Sequence, residues 1–182
     1  MSFQEYYNTD LKKQLMEALE IKNPMALPII KKVVINVGAG EAVSNKNAIQ
    51  NIQEQIQLIA GQKPVVTKAR KSISAFKLRK GVPIGVKVTL RGKRMFYFLE
   101  KLTKIVIPRL RDFRGISESC VDSNGNLNVG FTEQTLFPEI EFDKVDKVRG
   151  LEVTVVTTAR DYQKGRKLFE LLGVPFKKTD NK

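Results

Sequence analysis

The sequence contains no histidine and only one cysteine, Cys120. One cysteine cannot build a disulfide framework, and without histidine nothing in the chain resembles a zinc site. We therefore predict no metal and no cofactor. No apolar run approaches the roughly 18 residues of a membrane span, and the first residues lack the basic start and apolar centre of a signal peptide. We expect a soluble intracellular protein with no membrane partner.

Acidic residues are missing from residues 55–99, although the whole chain has nineteen. At the chain's acid frequency, about four or five would be expected in this stretch. Lys and Arg that contact phosphates release condensed counterions, so such a surface suits a nucleic acid. We favour nucleic-acid binding over a merely solvated charged surface. The stretch holds eleven of the thirteen units of net positive charge, on Lys63, Lys68, Arg70, Lys71, Lys77, Arg79, Lys80, Lys87, Arg91, Lys93 and Arg94.

The chain is 182 residues long and 42% hydrophobic, which favours a globular protein over a disordered one. Length favours one domain over two. No internal repeat or long linker divides the sequence, so we predict a single domain over residues 1–182.

Residues 84–91 alternate strictly between aliphatic and other side chains, which is typical of a half-buried strand. Residues 64–70 predict a second strand. The two enclose a cationic loop at residues 71–83 that ends in Gly and Pro. The aliphatic set is Ile84, Val86, Val88 and Leu90, and the other is Gly85, Lys87, Thr89 and Arg91.

Other segments predict further strands and helices. Strands are expected at residues 31–37 and 151–157, and a hairpin is expected to pair Cys120 and Val121 with residues 127–131. A first helix is expected to follow Thr9 and Asp10, which can cap and charge its first turn. A second should begin after Ser44 or Asn45 and end at Gly61, a third should end or kink at Pro108, and the last should stop at Gly173. The expected buried positions of the second and third are Ala48, Ile49, Ile52, Ile56 and Ile59, and Phe96, Leu99, Leu102, Ile105 and Val106.

This order predicts an α+β fold, in which helices pack on one face of a mainly antiparallel sheet in two layers. The other face should stay open and receive RNA, because an open sheet face with hydrogen-bond donors is a known RNA-binding surface. It would carry Asn36, Lys68, Lys87, Thr89 and Arg91.

A glycine pair, Gly38 and Gly40, follows the strand at residues 31–37 and precedes a helix, as in dinucleotide-binding proteins. The third glycine of that pattern would fall at Val43. A tight strand-to-helix turn is therefore favoured over a cofactor site.

Two charged segments follow the third helix. The basic cluster at residues 109–115 could contact RNA or tie the helix end to the acidic segment behind it. Residues 118–146 carry seven acids against Lys144 alone. They should point away from RNA, either as a solvated acidic lobe or as a dock for a basic protein.

Residues 71–91 read KSISAFKLRKGVPIGVKVTLR, which resembles the signature of large-subunit ribosomal protein five, the 5S rRNA-binding family. The resemblance extends to KVVINVGAGE at residues 32–41 and PRLRDFRG at residues 108–115. Further matching blocks are GQKP at 61–64, FPEI at 137–140, RGL at 149–151 and GVPF at 173–176. They occur in the family's order over nearly the whole chain, and the proportions resemble the bacterial or organellar form.

The resemblance implies a non-enzymatic, ribosome-bound protein of the cytoplasm or of an organelle. It would lie in the central protuberance, beside other proteins there, and bind 5S rRNA and large-subunit rRNA. The implied 5S rRNA contacts are Lys32, Asn36, Gln62, Lys68, Thr89 and Arg91. The loop would reach the P-site tRNA through Lys71, Ser72, Phe76, Lys77, Arg79 and Lys80. A lobe at residues 109–146 would form a bridge to small-subunit protein thirteen through Arg109, Arg111, Arg114, Glu139, Glu141 and Asp143.

Some alternatives remain open. Phe76 could stack on a base or sugar, or could anchor the loop to the protein, and the anchor is slightly favoured. A free-standing RNA chaperone or regulator could use the same sheet. A phosphate-handling enzyme is disfavoured, because the basic stretch has neither His nor carboxylate to act as base or metal ligand.

Overall fold

The computed structural model describes residues 3–45, 47–110, 114–142 and 145–177. Within them, five strands form one antiparallel sheet in the order β2-β3-β1-β5-β4. The strands are β1 Ile30–Gly38, β2 Val65–Lys68, β3 Pro83–Leu90, β4 Leu127–Phe131 and β5 Leu151–Thr157. The α-helices are α1 Phe3–Tyr6, α2 Lys12–Leu19, α3 Asn47–Ala60, α4 Gly92–Lys101 and α5 Tyr162–Leu171.

Hydrogen bonds at the strand ends show the antiparallel arrangement. The amide of Thr158, just after β5, donates to the carbonyl of Ile29, just before β1. The amide of Ala39, just after β1, donates to the carbonyl of Ile84 near the start of β3. In each pair the end of one strand meets the beginning of its neighbour, as antiparallel pairing requires.

The residues group into two compact units. The first is drawn from Met1–Val33, Arg91–Val129 and Thr154–Lys182, and the second from Val34–Leu90 and Gly130–Val153. Each unit combines distant parts of the sequence, so the division does not follow a linker. The single domain over residues 1–182 stays a prediction.

In the second unit, α3 packs against β3. Its predicted apolar positions are all buried, because they recur every three or four residues on one side of the helix. Asn45 begins the helix by accepting a hydrogen bond from the amide of Asn47. Gly61, with a φ of +62°, ends it as predicted.

In the first unit, the first helix begins earlier than predicted. α1 starts at Phe3 and passes through a π-helical turn, Tyr7–Leu11, into α2. Thr9 is therefore not an N-cap, and its hydroxyl donates to the carbonyl of Glu5 one turn earlier. Sequence periodicity missed this start because the π-helical turn interrupts the 3.6-residue spacing.

A second π-helical turn, Leu102–Val106, follows α4 and changes which residues are buried. Ile105, predicted to be buried, is 43% exposed, whereas Met95 and Phe98 fill the core. Phe96 is half-buried and contacts the ring of Tyr7, with the ring centroids 5.0 Å apart. As predicted, the helical segment ends near Pro108, in a short 3-10 turn, Ile107–Arg109.

The hairpin before β4 is shorter than predicted. Val121 pairs with Leu127, and residues 122–126 close the turn with hydrogen bonds to the Asp122 carboxylate from the amides of Asn124 and Asn126. Cys120 belongs to a 3-10 turn, Glu118–Cys120, so its predicted strand pairing is wrong.

The α+β prediction is confirmed. β5 has the predicted bounds, and β1 extends the predicted strand by one residue at each end. Among the described residues, no helix combines the length and the apolar character that crossing a membrane requires.

Candidate nucleic-acid interface

The second unit holds β2 and β3, on which the predicted RNA-binding face depends. Their register pairs Val65 with Lys87 and Thr67 with Gly85. Opposed residues of an antiparallel pair project from the same face. Lys87 and Val65 are therefore exposed neighbours, and the exposed Val65 is a residue that the sequence-based prediction missed.

Gly85 allows the strands to approach closely at this face. A Cβ atom there would lie 2.8 Å from the Thr67 hydroxyl oxygen and 2.9 Å from the Val37 carbonyl oxygen. Both distances are too short for a side chain, so glycine is required where β3 passes these neighbours.

Two predicted contact residues are brought together by a hydrogen bond. The side-chain amide of Gln62 donates to the carbonyl of Thr89 at 3.4 Å. Both residues are half-buried, as is Asn36 on β1. Gln62, from the turn after α3, is thereby held beside the end of β3.

The predicted phosphate partners occupy different positions. Lys68 is exposed at the end of β2, beyond a register irregularity, where it lies opposite Pro83. Strand alternation therefore does not assign Lys68 to the face of Lys87. Lys32 and Arg91 belong to the first unit. Lys32 is half-buried on β1, and Arg91 is the exposed residue before α4.

The cationic loop is hydrogen-bonded along its length. Backbone bonds join Ala69 to Val82 and to Gly81, and a reciprocal pair joins Ile73 to Leu78. The Ser72 hydroxyl also accepts from the amide of Lys80. The loop therefore has an ordered backbone of its own. Its predicted contact residues are all exposed: Lys71, Ser72, Phe76, Lys77, Arg79 and Lys80.

Phe76 lies at the tip of this loop, in a 3-10 turn, Ser74–Phe76, and is 72% exposed. A side chain that anchored the loop would be buried against the protein. The anchor interpretation of Phe76 is therefore wrong, and the stacking alternative stays a prediction.

All eleven basic residues of the acid-free stretch are exposed. Apart from Arg94, none of them forms an ion pair with a carboxylate that the structure describes. The charges of the other ten are available to an external polyanion.

The segment that contains Gly38 and Gly40 forms a turn that is held by ion pairs of Glu41. Glu41, in the 3-10 turn Gly40–Val43, accepts hydrogen bonds from Lys147 and from the Arg149 guanidinium. Arg149 also binds both carboxylate oxygens of Asp146, at 2.6 and 2.7 Å. The glycine pair thus belongs to the turn between β1 and α3, as favoured from the sequence.

The same cluster shifts the pKa values of its members. Hydrogen bonds from Lys147 and then Arg149 lower the pKa of Glu41, and the hydrogen bond from Arg149 lowers the pKa of Asp146. The buried side chain of Gln134 completes the cluster by bonding the Lys147 carbonyl and the Arg149 amide. The cluster thus ties three sequence-distant segments together within the second unit.

We expect Arg149→Met to destabilise the protein by about 2 kcal/mol at pH 7, because it removes charge-assisted hydrogen bonds to two carboxylates. Glu41 and Asp146 have lowered pKa values in the folded state. Their contribution is therefore full above their unfolded pKa values of about 4 and is lost as the pH falls. Denaturation by urea should show the difference between variant and wild type shrinking between about pH 5 and pH 3.

Lys147→Met is the matched control. The Lys147 side chain is 63% exposed, and Glu41 is the one described carboxylate that its ammonium pairs with, so its loss should cost less than about 1 kcal/mol. A difference for Arg149→Met that is equally large at both ends of the pH range would contradict the proposed role of the two carboxylates.

The predicted bridge residues are divided between the units. Arg109 and Arg114 are exposed in the first unit, and Glu139 and Glu141 are exposed in the second. Arg111 and Asp143 lie outside the described residues. Neither Arg109 nor Arg114 forms an ion pair with a described carboxylate, which does not support a role in tying the helix end to the acidic segment.

Phe142 is a second exposed residue that the sequence-based prediction missed. It is 76% exposed and follows Glu141 directly. The only available signal was its position at the end of a short acidic and apolar segment.

A cavity of about 440 Å³ lies in the first unit. None of the predicted site residues lines it; the lining residues are Phe3, Tyr6, Thr103, Lys104, Leu171, Leu172 and Gly173. Within the described residues, no three acidic or cysteine side chains come together in a way that could hold a metal ion.

Comparison with known proteins gives matches over nearly the whole chain. Residues 23–79 match the family model described as ribosomal protein L5, and residues 83–176 match the model for the C-terminus of that ribosomal family. Large ribosomal subunit protein uL5 of Campylobacter jejuni subsp. doylei is 50% identical over 178 residues, which are 98% of each chain. The uL5 protein of Brevibacillus brevis is 51% identical over 174 residues, 96% of this chain and 97% of its own.

The uL5 protein of Desulfotalea psychrophila is 49% identical over 177 residues, 97% of this chain and 99% of its own. These matches agree with the exposed cationic surface, since large-subunit proteins assemble with RNA. The chain therefore belongs to the ribosomal protein L5 family, uL5, and is a structural, non-enzymatic protein of the large ribosomal subunit.

Proposed function

We propose that the chain binds 5S rRNA and adjacent large-subunit rRNA in the central protuberance of a cytoplasmic ribosome. The observation that carries this proposal is the set of exposed basic residues in a stretch without a carboxylate. Such a surface gains free energy by releasing counterions from the phosphates that it contacts.

The proposed RNA contacts are of two kinds. Lys32, Lys68 and Arg91 bind phosphates, which sets affinity without selecting a base sequence. The polar contacts are Asn36, Gln62 and Thr89. The hydrogen bond from the Gln62 side chain to the Thr89 carbonyl supports their joint role, because it fixes the Gln62 side chain against the backbone of β3 before RNA arrives.

The loop at residues 71–83 contacts the P-site tRNA. Its hydrogen-bonded backbone supports this role, since a preorganised loop loses less conformational entropy on binding. Its exposed ammonium and guanidinium groups would meet tRNA phosphates through Lys71, Lys77, Arg79 and Lys80.

Deletion of residues 74–80 should weaken binding of tRNA to the P site while leaving affinity for 5S rRNA unchanged. The reason is that the deletion removes the loop tip but keeps β2, β3 and the hydrogen bond between Gln62 and Thr89. Filter binding to purified 5S rRNA, and tRNA binding to reconstituted large subunits paired with small subunits, measure the two properties.

A milder variant controls for misfolding of the shortened loop. Lys77→Gln combined with Lys80→Gln removes two exposed charges and keeps the loop length. Loss of both 5S rRNA and tRNA binding in this variant would contradict the separation between sheet and loop.

The region at residues 109–146 faces small-subunit protein thirteen and forms an intersubunit bridge. Exposed Glu139 and Glu141 support docking to a basic protein, because opposite charges steer and orient association. Arg109, Arg111, Arg114 and Asp143 complete the proposed contact.

A further inference from the structure

The hairpin turn before β4 contains an asparagine followed by a glycine, Asn124 and Gly125, and the sequence holds no second pair of this kind. Asn124 is exposed, whereas Gly125 is buried. In such a pair the glycine amide nitrogen can attack the side-chain carbonyl carbon of the asparagine, because glycine has no side chain to block the approach. The dipeptide that favours a tight turn is therefore also open to an intramolecular reaction.

The attacking nitrogen is restrained in the folded chain. The Gly125 amide donates a hydrogen bond to the Asp122 carbonyl at 2.9 Å. The Asn124 amide donates to the Asp122 carboxylate, also at 2.9 Å. To attack, the Gly125 nitrogen would have to lose its proton and leave its acceptor inside a buried residue, which is costly. The reaction therefore requires the turn to open.

Gly125 is held on its other sides as well. Its carbonyl accepts a hydrogen bond from the buried Thr157 hydroxyl at 2.7 Å. Its backbone packs on α5 so closely that a Cβ atom at Gly165 would collide with the Gly125 Cα. The next residue, Asn126, accepts a hydrogen bond from the Thr157 amide at 2.9 Å. The turn thus has no room for an additional backbone atom.

We propose that Asn124 is a site of spontaneous deamidation that the folded hairpin protects, so that modification there marks a chain whose hairpin has been open. The Gly125 nitrogen loses its proton and bonds to the Asn124 Cγ atom. The bond from Cγ to Nδ2 breaks, and the side-chain nitrogen takes up the proton and leaves as ammonia. Water then opens the cyclic imide, so the two steps together consume one water and release one ammonia.

Two products form from the imide, and one of them changes the length of the backbone. If water breaks the new bond at Cγ, the product at position 124 is aspartate. If water breaks the original peptide bond, the product is isoaspartate, in which the main chain runs through Cβ and gains one carbon atom. The contacts of Gly125 with Thr157 and Gly165 leave no space for that atom. We therefore expect the isoaspartate chain to lose the packing of α5 on the hairpin.

Incubation of the full chain in heavy-oxygen water, either folded or unfolded in guanidinium chloride at the same pH and temperature, tests the protection. Heavy oxygen enters only the product that forms during the incubation, so deamidation during later digestion in ordinary water is not counted. Trypsin then releases residues 115–144, which contain Asn124, Asn126 and Asn128. The last two precede bulky residues, which hinder the attack, and they serve as internal controls.

Mass spectrometry should show heavy oxygen entering position 124 at least about tenfold faster in the unfolded chain than in the folded one, because modification of an open state follows the small population of that state. Asn126 and Asn128 should acquire much less label. Equal rates at Asn124 in the folded and unfolded chains would overturn the protection. Absence of label at Asn124 in the unfolded chain would overturn the site itself.

Thr157→Val tests whether the contacts of the turn provide the protection. It removes the hydroxyl that bonds the Gly125 carbonyl and keeps the shape of the side chain. In the folded variant, labelling of Asn124 should be at least about threefold faster than in wild type, since loss of a hydrogen bond raises the population of the open turn. The two unfolded chains should label equally. A variant that circular dichroism shows to be folded and that labels as slowly as wild type would contradict the role of this contact.

Asn124→Asp is the matched control for the isoaspartate product, because it introduces the same charge and keeps the length of the backbone. Its side chain is exposed, so after the same incubation and removal of denaturant it should refold and melt like wild type. The isoaspartate chain, separated by chromatography, should not regain the wild-type melting transition. Recovery of that transition by the isoaspartate chain would refute the claim that the turn cannot accept a longer backbone.

Discussion

Raising the salt concentration from about 50 to about 200 mM should weaken binding of the chain to 5S rRNA by about 10³- to 10⁵-fold. This range corresponds to about six to ten phosphate contacts, each of which releases counterions. The acid-free stretch offers eleven exposed basic residues, which is enough for that number. Equilibrium binding of purified protein and 5S rRNA at several salt concentrations gives the slope.

Single substitutions should show which contacts produce this salt dependence. Arg91→Gln should reduce the slope of log affinity against log salt by about one, because one phosphate contact is lost. Asn36→Ala should lower affinity and leave the slope unchanged, since its proposed contact is uncharged. An almost flat slope for the wild type would contradict phosphate binding as the source of affinity.

Gly165→Ala should destabilise the protein by about 3 kcal/mol or more, the second large effect that we expect. Gly165, in α5, packs directly on the backbone of Gly125 in the hairpin turn. A Cβ atom at Gly165 would lie 2.6 Å from the Gly125 carbonyl oxygen and would also collide with the Gly125 Cα. Relief would require moving backbone, because no flexible side chain stands in the way.

The opposing position is equally constrained. Gly125 has a φ of +75°, and a Cβ there would lie 2.6 Å from the Asp161 carbonyl oxygen. Thermal denaturation of Gly165→Ala should be compared with Gly130→Ala in β4, where a Cβ meets no atom within 4 Å. Similar melting temperatures for the two variants would show that the turn and α5 separate readily.

Local sequence patterns predicted most of the architecture. Alternation located β3, a run of β-branched residues located β5, recurring apolar residues located α3, and Gly61 located its end. These patterns are reliable because each depends on the geometry of a single element. The acid-free stretch likewise identified exposed charge, since Lys and Arg without carboxylate partners are rarely buried.

The wrong or missing predictions concern residues whose placement depends on irregular turns or on contacts with distant parts of the sequence. The π-helical turn Leu102–Val106 exposes Ile105, although its spacing fits a regular helix. The ion pair between Glu41 and Arg149 joins residues 108 positions apart, so no local sequence pattern predicts it. Phe76 was slightly favoured as an anchor, but residue type does not reveal that the loop folds on its own backbone.

The register of β2 is a fourth case. The sequence-based prediction placed Lys68 and Lys87 on the same open face, but the pairing of β2 with β3 is irregular after Thr67 and sets Lys68 opposite Pro83. An irregularity of this kind disrupts the pairing locally, and residue spacing along one strand does not reveal it. The sequence therefore predicted a cationic sheet and loop, but not the full set of side chains on one face.

Hydroxyl-radical footprinting of 5S rRNA, with wild-type protein and with a charge-reversed variant, tests the central claim most directly. Lys68→Glu combined with Lys87→Glu reverses two exposed charges on β2 and β3, and Lys13→Glu makes the single change on the exposed side of α2. We predict protection of 5S rRNA by the wild type and by Lys13→Glu, and loss of protection in the double variant at the same protein concentration. Equal protection by the double variant would contradict the claim that the cationic surface of the second unit holds the RNA.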